Sequence, residues 1–346
     1  MKLLVLGTGG MAKAHANAFG AMPGVEVVAA CDVDAGRADS FAAEHHIPKS
    51  YGSLEAALKA GGFDAVTNVT PDPVHHPTTL ACLAAGKHVL CEKPLAENFA
   101  LAQEMSDAAE KSGLVNMVNL SYRNVPALQM ARKLIADGKV GDVRHVEASY
   151  RQSWLVANNW GHWNTDPKWL WRLSSKHGSR GVLGDVGIHI LDFATYATGL
   201  QPVSLQARLK TFDKAPGGQI GDYVLDANDS AVMSLEFDNG ALGVIHTSRF
   251  MTGYANTLRL HVFGTEGALE IDHNVDYTRL KVCEGEDVHT QAWAGVECPP
   301  VKNNFQKFAD AVKSGTNGEP DFAHATKLQG YLDACFEAEA ARAAKV

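Results

Sequence analysis

Over about the first 120 residues, short β-branched runs alternate with alanine-rich segments of helical length, and this alternation constrains the fold more than any other feature. KLLVL (2–6) precedes MAKAHANAF, VEVVAAC (25–31) precedes AGRADSFAAEH, and DAVTNV (64–69) precedes HPTTLACLAAG. HVLCEK (88–93) precedes NFALAQEMSDAAEKSG, and LVNMVN (114–119) closes the series. Strands separated by helices of this length pair in parallel through right-handed crossovers rather than as hairpins. Their nearly continuous apolar character also requires a sheet covered on both faces.

From about residue 140 the pattern changes. DVRHVEASY, SAVMSLEF, ALGVIHTSR and TLRLHVFG alternate apolar with polar residues, and a DNG turn stands at 238–240, which predicts an antiparallel sheet with one polar face. A helix is expected after Pro126, ending near Gly138, and the chain is helical again from about Asn303. A chain of 346 residues exceeds what one core commonly organises, so two domains are expected, 1–122 and 123–346, with the terminal helices free to pack back on the first.

VLGTGGMA sets Gly7, Gly9 and Ala12 in a G-x-G-x-x-A pattern where the first strand meets the first helix. The first glycine permits a tight turn, the second lets backbone approach a pyrophosphate, and the small third residue allows close helix–strand packing. Gly10 and Met11 belong to the same loop and are expected against the cofactor. Asp32 ends the second strand, about twenty residues after Ala12, where a carboxylate accepts hydrogen bonds from ribose hydroxyls. That charge repels the extra phosphate of NADP and favours NAD, while Arg37 is the counter-argument, because an arginine in the following turn could engage the phosphate.

Two further stretches carry chemistry. NVTPDPVHHPTTLACLAAGKHVLCEKPLA contains Thr70, Pro71 and His75, then Glu92, Lys93 and Pro94; RGVLGDVGIHILD places Asp185, His189 and Asp192 at spacings of four and three. On a helix, Asp185 and His189 share a face one turn apart. An acid beside an imidazole suits proton transfer. The same pair could also begin an ordinary helix as cap and dipole partner, or supply two metal ligands, although no other His or Cys cluster has ligand spacing.

Together with the glycine turn and SYRNVPALQMARKLIADGKVGDV, these motifs resemble the Gfo/Idh/MocA oxidoreductases, the glucose-fructose oxidoreductase and inositol dehydrogenase family, over nearly the whole chain. One departure is the turn Arg180-Gly181-Val182-Leu183-Gly184, where the family more often has three glycines. The resemblance implies an α/β chain: an N-terminal Rossmann domain, then an α+β domain with an open-faced, predominantly antiparallel sheet, and the active site between them. The second domain is implied to bind substrate and to form a homodimer or homotetramer through its sheet. Also implied is metal-free, NAD-dependent oxidation, with Lys93, Asp185 and His189 catalytic. Cofactor contacts are then expected from Thr70, Pro71, His75, Glu92 and Lys93, beside Gly7, Gly9, Gly10, Met11, Asp32 and Arg37, with a cis Lys93–Pro94 bond.

The chemistry of the residues agrees. Oxidising a secondary alcohol removes a hydride and a proton, so the site needs a base and a cation. Histidine titrates in the right range for the base, and Lys93, at the carboxyl end of a parallel strand, suits stabilisation of an alkoxide. YRQSWLVANNWGHWNTDPKWLWRLSSKHG (150–178) holds five of the six tryptophans. Indole faces stack on the C–H faces of sugar and cyclitol rings, so Trp154, His162, Trp163 and Arg172, with the preceding Arg123, are expected to touch a neutral cyclic polyol or sugar. A small core beneath a long loop is the alternative.

The net charge of -8, with no basic stripe, argues against a nucleic-acid partner. No apolar run approaches the roughly 20 residues of a membrane span. Six scattered cysteines without CxxC spacing, and an opening that reaches glycine after four apolar residues, lead us to expect a reduced, cytoplasmic protein. Two other classes share these motifs: an NAD-retaining hydrolase or lyase working by transient ring oxidation, and a non-catalytic NAD-binding regulator. The regulator is expected to lack Lys93, Asp185 or His189, and all three are present.

Overall fold

The structure, a computed structural model, describes residues 1–273 and 279–343. Its first elements are β1 (Lys2–Leu6), α1 (Ala12–Gly20), β2 (Glu26–Cys31), α2 (Ala35–Glu44), β3 (Ser50–Tyr51), α3 (Leu54–Ala60), β4 (Ala65–Asn68), α4 (Asp72–Ala84), β5 (His88–Cys91), α5 (Phe99–Ser112) and β6 (Asn116–Val118). Then come α6 (Pro126–Ala136), β7 (Val143–Arg151), α7 (Pro167–Leu170), α8 (Ile188–Thr198), β8 (Pro202–Lys210), β9 (Gln219–Ile220), β10 (Tyr223–Val224), β11 (Ser230–Phe237) and β12 (Leu242–Ser248). The chain continues with β13 (Thr257–Gly264), β14 (Gly267–His273), β15 (Leu280–Glu284), α9 (Asp287–Thr290), β16 (Ala294–Val296), α10 (Asn304–Ser314) and α11 (Phe322–Ala343). Among the described residues no helix is long and apolar enough to cross a membrane.

Met1–Ser121 and Lys302–Gly330 form one compact unit, and Tyr122–Val301 and Tyr331–Val346 the other. The first is a six-stranded sheet of order β3-β2-β1-β4-β5-β6 with every neighbouring pair parallel, the Rossmann arrangement expected from the alternation. Phe308 of α10 packs with Leu3, Phe19, Leu90 and Met117 in its core, which is why a late stretch of chain belongs to the early unit. Burying a phenylalanine there contributes about 1.5–3 kcal/mol. On the other face Ala12 and Ala16 meet Val5, Ala30 and Phe41, the close packing that a small residue after the glycine turn permits.

Register decides where the loops emerge. Leu6 pairs with Cys31 and Asn68, Asn68 with Cys91, and Cys91 with Val118. Gly7, Asp32, Thr70, Glu92 and Lys93 therefore leave the sheet along one edge, at the carboxyl ends of strands whose order reverses between β1 and β4. Ligands of open parallel sheets collect at such a reversal.

The second unit holds an eight-stranded sheet of order β16-β15-β14-β13-β7-β12-β11-β8, in which only the β7–β12 pair is parallel. Strand β11 buries Ala231, Met233, Leu235 and Phe237 and turns Val232, Ser234 and Glu236 outward, the predicted alternation. Helix α8 is buried nearly all round because it packs against both α6 and β7.

Candidate active site

The glycine turn begins with a position only glycine can hold. Gly7 has φ +86°, and a Cβ there would lie 2.7 Å from the Val69 carbonyl oxygen. At Gly9 and Gly10 a Cβ would meet no atom within 4 Å, so this part of the loop faces open space. Helix α1 starts beside it with no side-chain cap, and Met11 is exposed. An uncapped helix start behind two glycines fits a pyrophosphate.

Asp32 is almost fully buried and accepts four hydrogen bonds. Thr8 donates from its backbone N (2.9 Å) and Oγ1 (2.9 Å) to Oδ2, while Asp34 N (3.0 Å) and Arg37 Nη2 (2.8 Å) donate to Oδ1. Burial opposes its ionisation, but these bonds and the Arg37 charge outweigh that and hold the carboxyl below its usual range. Arg37 is thus spent on Asp32 and on Asp34 (3.4 Å), and it is the exposed, exchangeable member of the set.

Thr70 donates its hydroxyl to Asn68 Oδ1 (2.7 Å), and Pro71 is exposed beside it. His75 differs from its expected place: it is 0% exposed and cannot touch a cofactor. Its Nδ1 lies 2.8 Å from the Pro94 carbonyl and its Nε2 2.8 Å from the Thr70 carbonyl. Carbonyl oxygens only accept, so both nitrogens donate and the ring is an imidazolium. Burial alone would lower its pKa, but Cys91, Asp72 and the Pro94 carbonyl more than compensate and raise it to about 10. His75 thereby ties the Thr70 loop to the turn that carries Lys93.

That turn is held from its other side too. Glu92 Oε1 bonds His15 Nε2 (2.8 Å) and Asn119 Nδ2 (2.6 Å), and Oε2 accepts from Lys93 N (3.2 Å). Burial works against this carboxylate, but His15, Asn119 and Lys93 bring its pKa down to about 2. Glu92 is therefore engaged by its own unit. The Lys93–Pro94 bond is cis. His15 reaches Glu92 from the otherwise apolar Ala12–Ala16–Phe19 face of α1, and a polar residue on such a face is the one mark of its role in the sequence.

In the second unit Asn228 shapes the turn before α8. Its carbonyl accepts from Val182 N (2.8 Å), its Oδ1 from Leu183 N (3.0 Å), and its Nδ2 donates to the Arg180 carbonyl (3.1 Å). Leu183–Gly187 forms one π-helical turn rather than a regular start to the helix, and α8 follows directly. Asp185 faces two guanidiniums, Arg249 Nη2 at 3.1 Å from Oδ2 and Arg172 Nη1 at 3.5 Å from Oδ1. His189 packs edge-on to Tyr122 (5.0 Å between centroids), whose hydroxyl lies 2.5 Å from that of Tyr150.

Three residues expected at a substrate rim lie elsewhere or are only partly free. Arg123 is 2% exposed, with its Nε 2.8 Å and Nη2 2.7 Å from Asp192, the second acid of the motif, and its guanidinium 3.7 Å from the Tyr196 ring centroid. Trp154 is 3% exposed in a small core with Leu155, Leu170, Leu173 and Leu225. Trp163 packs on that core and donates its Nε1 to the Leu155 carbonyl (3.1 Å). The tryptophans need partners more than the loop needs ligands, so the small core accounts for most of them. His162 is exposed, Arg172 is half-exposed, and Trp171 beneath its guanidinium (4.5 Å) is 38% exposed.

A six-stranded parallel sheet whose switch point carries a glycine cradle, a buried acid at the end of β2 and a lysine turn fits an NAD-binding oxidoreductase. The chain belongs to the Gfo/Idh/MocA family: residues 1–120 match the "oxidoreductase family, NAD-binding Rossmann fold" model and 128–270 the "GFO/IDH/MocA C-terminal domain" model. It is 27% identical to levoglucosan dehydrogenase of Pseudarthrobacter phenanthrenivorans over 293 residues, 78% of this chain and 73% of that one. Identity to 1,5-anhydro-D-fructose reductase of Ensifer adhaerens is 33% over 253 residues, 73% and 69% of the two chains. A solved structure of levoglucosan dehydrogenase in complex with NADH and L-sorbose superposes with a TM-score of 0.86 at 25% identity, covering 98% of this chain and 96% of that one. The protein is accordingly an NAD-dependent dehydrogenase.

Proposed function

We propose that this enzyme oxidises a secondary ring hydroxyl of a neutral cyclic polyol or sugar, such as an inositol, an aldopyranose or a glycoside, to a ketone or lactone. The observation that carries the reading is the carboxylate–imidazole pair at the start of α8, next to the half-exposed Arg172 and Trp171. Relatives named for levoglucosan and 1,5-anhydrofructose lend support. Bound NAD supplies the hydride acceptor at nicotinamide C4. Gly9, Gly10 and the start of α1 hold its pyrophosphate, and Asp32 its ribose. Lys93 stabilises the developing alkoxide, His189 takes the hydroxyl proton, and Asp185 contributes fixed negative charge. Arg172, Trp171, His162 and Trp163 offer the ring its polar and apolar contacts, and the buried Trp154 belongs to the core on which Trp163 packs. The test is NAD reduction, followed by absorbance, against a panel of inositols, aldoses, glycosides and linear alcohols. A linear alcohol outperforming every cyclic substrate defeats the reading, and turnover of a glycoside with no net NADH favours the hydrolase or lyase class.

Replacing Asp32 with alanine removes the ribose acceptor and frees Arg37 for a phosphate. The ratio of kcat/KM for NAD over NADP should fall at least about tenfold, equivalent to about 1.4 kcal/mol. An unchanged ratio would remove Asp32 from cofactor choice.

We also propose that a second copy of the chain covers the outward face of the large sheet. Val232, Leu242 and Val244 are exposed there at 51, 58 and 40%, a clustered apolar surface that water disfavours. Val232→Lys is tolerated by an isolated chain and should halve the mass measured by light scattering. A wild-type monomer would refute the assembly.

A further inference from the structure

Strand β12 alternates outward and buried side chains, and Arg249 follows its last residue. An arginine at this point would ordinarily run to solvent, yet this one is 0% exposed. Its Nη2 reaches Asp185 Oδ2 at 3.1 Å, its Nη1 donates to the Arg172 carbonyl at 3.0 Å, and its guanidinium carbon lies 4.9 Å from the centroid of the Trp154 ring. Its backbone N donates to the Asp229 carbonyl (3.0 Å). Asp229 is itself fully buried, but Lys214 Nζ at 2.7 Å matches its charge. Asp185 is thus the carboxylate that bonds Arg249 directly, with Asp229 adding its charge from farther off. Arg172, more exposed, adds a second guanidinium on the other carboxylate oxygen.

We infer that Arg249 is a positioning residue that keeps Asp185 ionised and fixes the Arg172–Trp171 segment against the turn that carries Asp185 and leads into the helix of His189. This rests on the catalytic reading of Asp185. Protonating Asp185 would take from a buried guanidinium the one carboxylate bonded to it, which disfavours Asp185 as the acceptor of the substrate proton and leaves that task to His189. The same fork that holds the carboxylate also holds the Arg172 carbonyl, which links the charge of the site to the placement of its wall. Lysine, a point charge with no planar fork, can do the first but not both.

Groups that bear on Asp185 include Arg249 after β12 and Arg172 after α7, while Asp229, just before β11, acts on Arg249 and is paired with Lys214. Carbon-13 NMR of aspartate-labelled, cofactor-free protein follows Asp185 directly, the signal being assigned by its loss in Asp185→Asn. The wild-type signal is the reference. In Arg249→Met the midpoint should rise by a pH unit or more and the acid limb of kcat should move with it, kcat at neutral pH falling at least about tenfold. Arg249→Lys should restore the midpoint but leave KM raised. Should Arg249→Met not fold, Arg172→Met, at the exposed partner, should shift the midpoint in the same direction by a smaller amount. An Asp185 midpoint unchanged in both methionine variants overturns the inference, as does a kcat loss in Arg249→Met with an unmoved pH profile. If Asp185→Asn keeps near-wild-type kcat, the catalytic reading of Asp185 fails, whatever the NMR shows for Arg249.

Discussion

Lys93→Met is expected to bind NAD within about threefold of the wild-type affinity while kcat falls by about 10²–10³-fold, the usual loss when one stabilising donor is removed from a developing oxyanion. Methionine keeps the unbranched bulk of lysine and discards the ammonium. The turn around it is held by groups the substitution leaves alone: Glu92 through His15 and Asn119, and the Pro94 carbonyl through His75. Gly9, Gly10 and Asp32 are likewise untouched, which is why binding should survive. His189→Ala should resemble it, with kcat lower by about 10²–10⁴-fold, the range for a lost general base. Equilibrium titration with NAD alongside steady-state kinetics separates the two effects. Turnover within a few-fold of wild type in either variant would take that residue out of the chemistry.

The second large effect is on stability as a function of pH. Glu92 titrates at about 2 in the folded chain against 4.5 ordinarily, so its contribution is complete above about 4.5 and disappears as the pH falls toward 2. His75 titrates at about 10 against 6.5, so its contribution is complete below about 6.5 and disappears as the pH rises through 10. Each shift corresponds to a few kcal/mol, on the order of 1.4 per unit. A glutamine at position 75 can donate to one of the two carbonyls but not to both. His75→Gln should therefore melt well below wild type at pH 6, with the gap closing as pH approaches 10. Thermal melts across that range check it, and a gap that stays constant would mean the ring is neutral in the folded protein.

Much of this protein was legible because it is local. Strand–helix alternation, the glycine turn, Asp32 at the end of β2 and the Asp185–His189 spacing depend on residues within a few positions of one another, and backbone sterics and hydrogen bonding act at that range. The parallel sheet and the predominantly antiparallel one followed from hydrophobic period alone. The polar interior did not. Arg123 meets Asp192 across 69 positions, His15 meets Glu92 across 77, and Arg249 meets Asp185 across 64. Nothing near Arg123 in the chain marks it as buried rather than facing a sugar, and nothing near Trp154 shows that Leu170, Leu173 and Leu225 will enclose it. A buried charge or indole is satisfied by whichever side chains the fold brings beside it, and their position along the chain carries no trace of that meeting. The sequence by itself determined the two sheets and the edge on which the cofactor residues stand. The tertiary structure decided which of the charged and aromatic candidates remain free to meet a ligand, because desolvation makes every buried polar group take a partner from wherever packing supplies one.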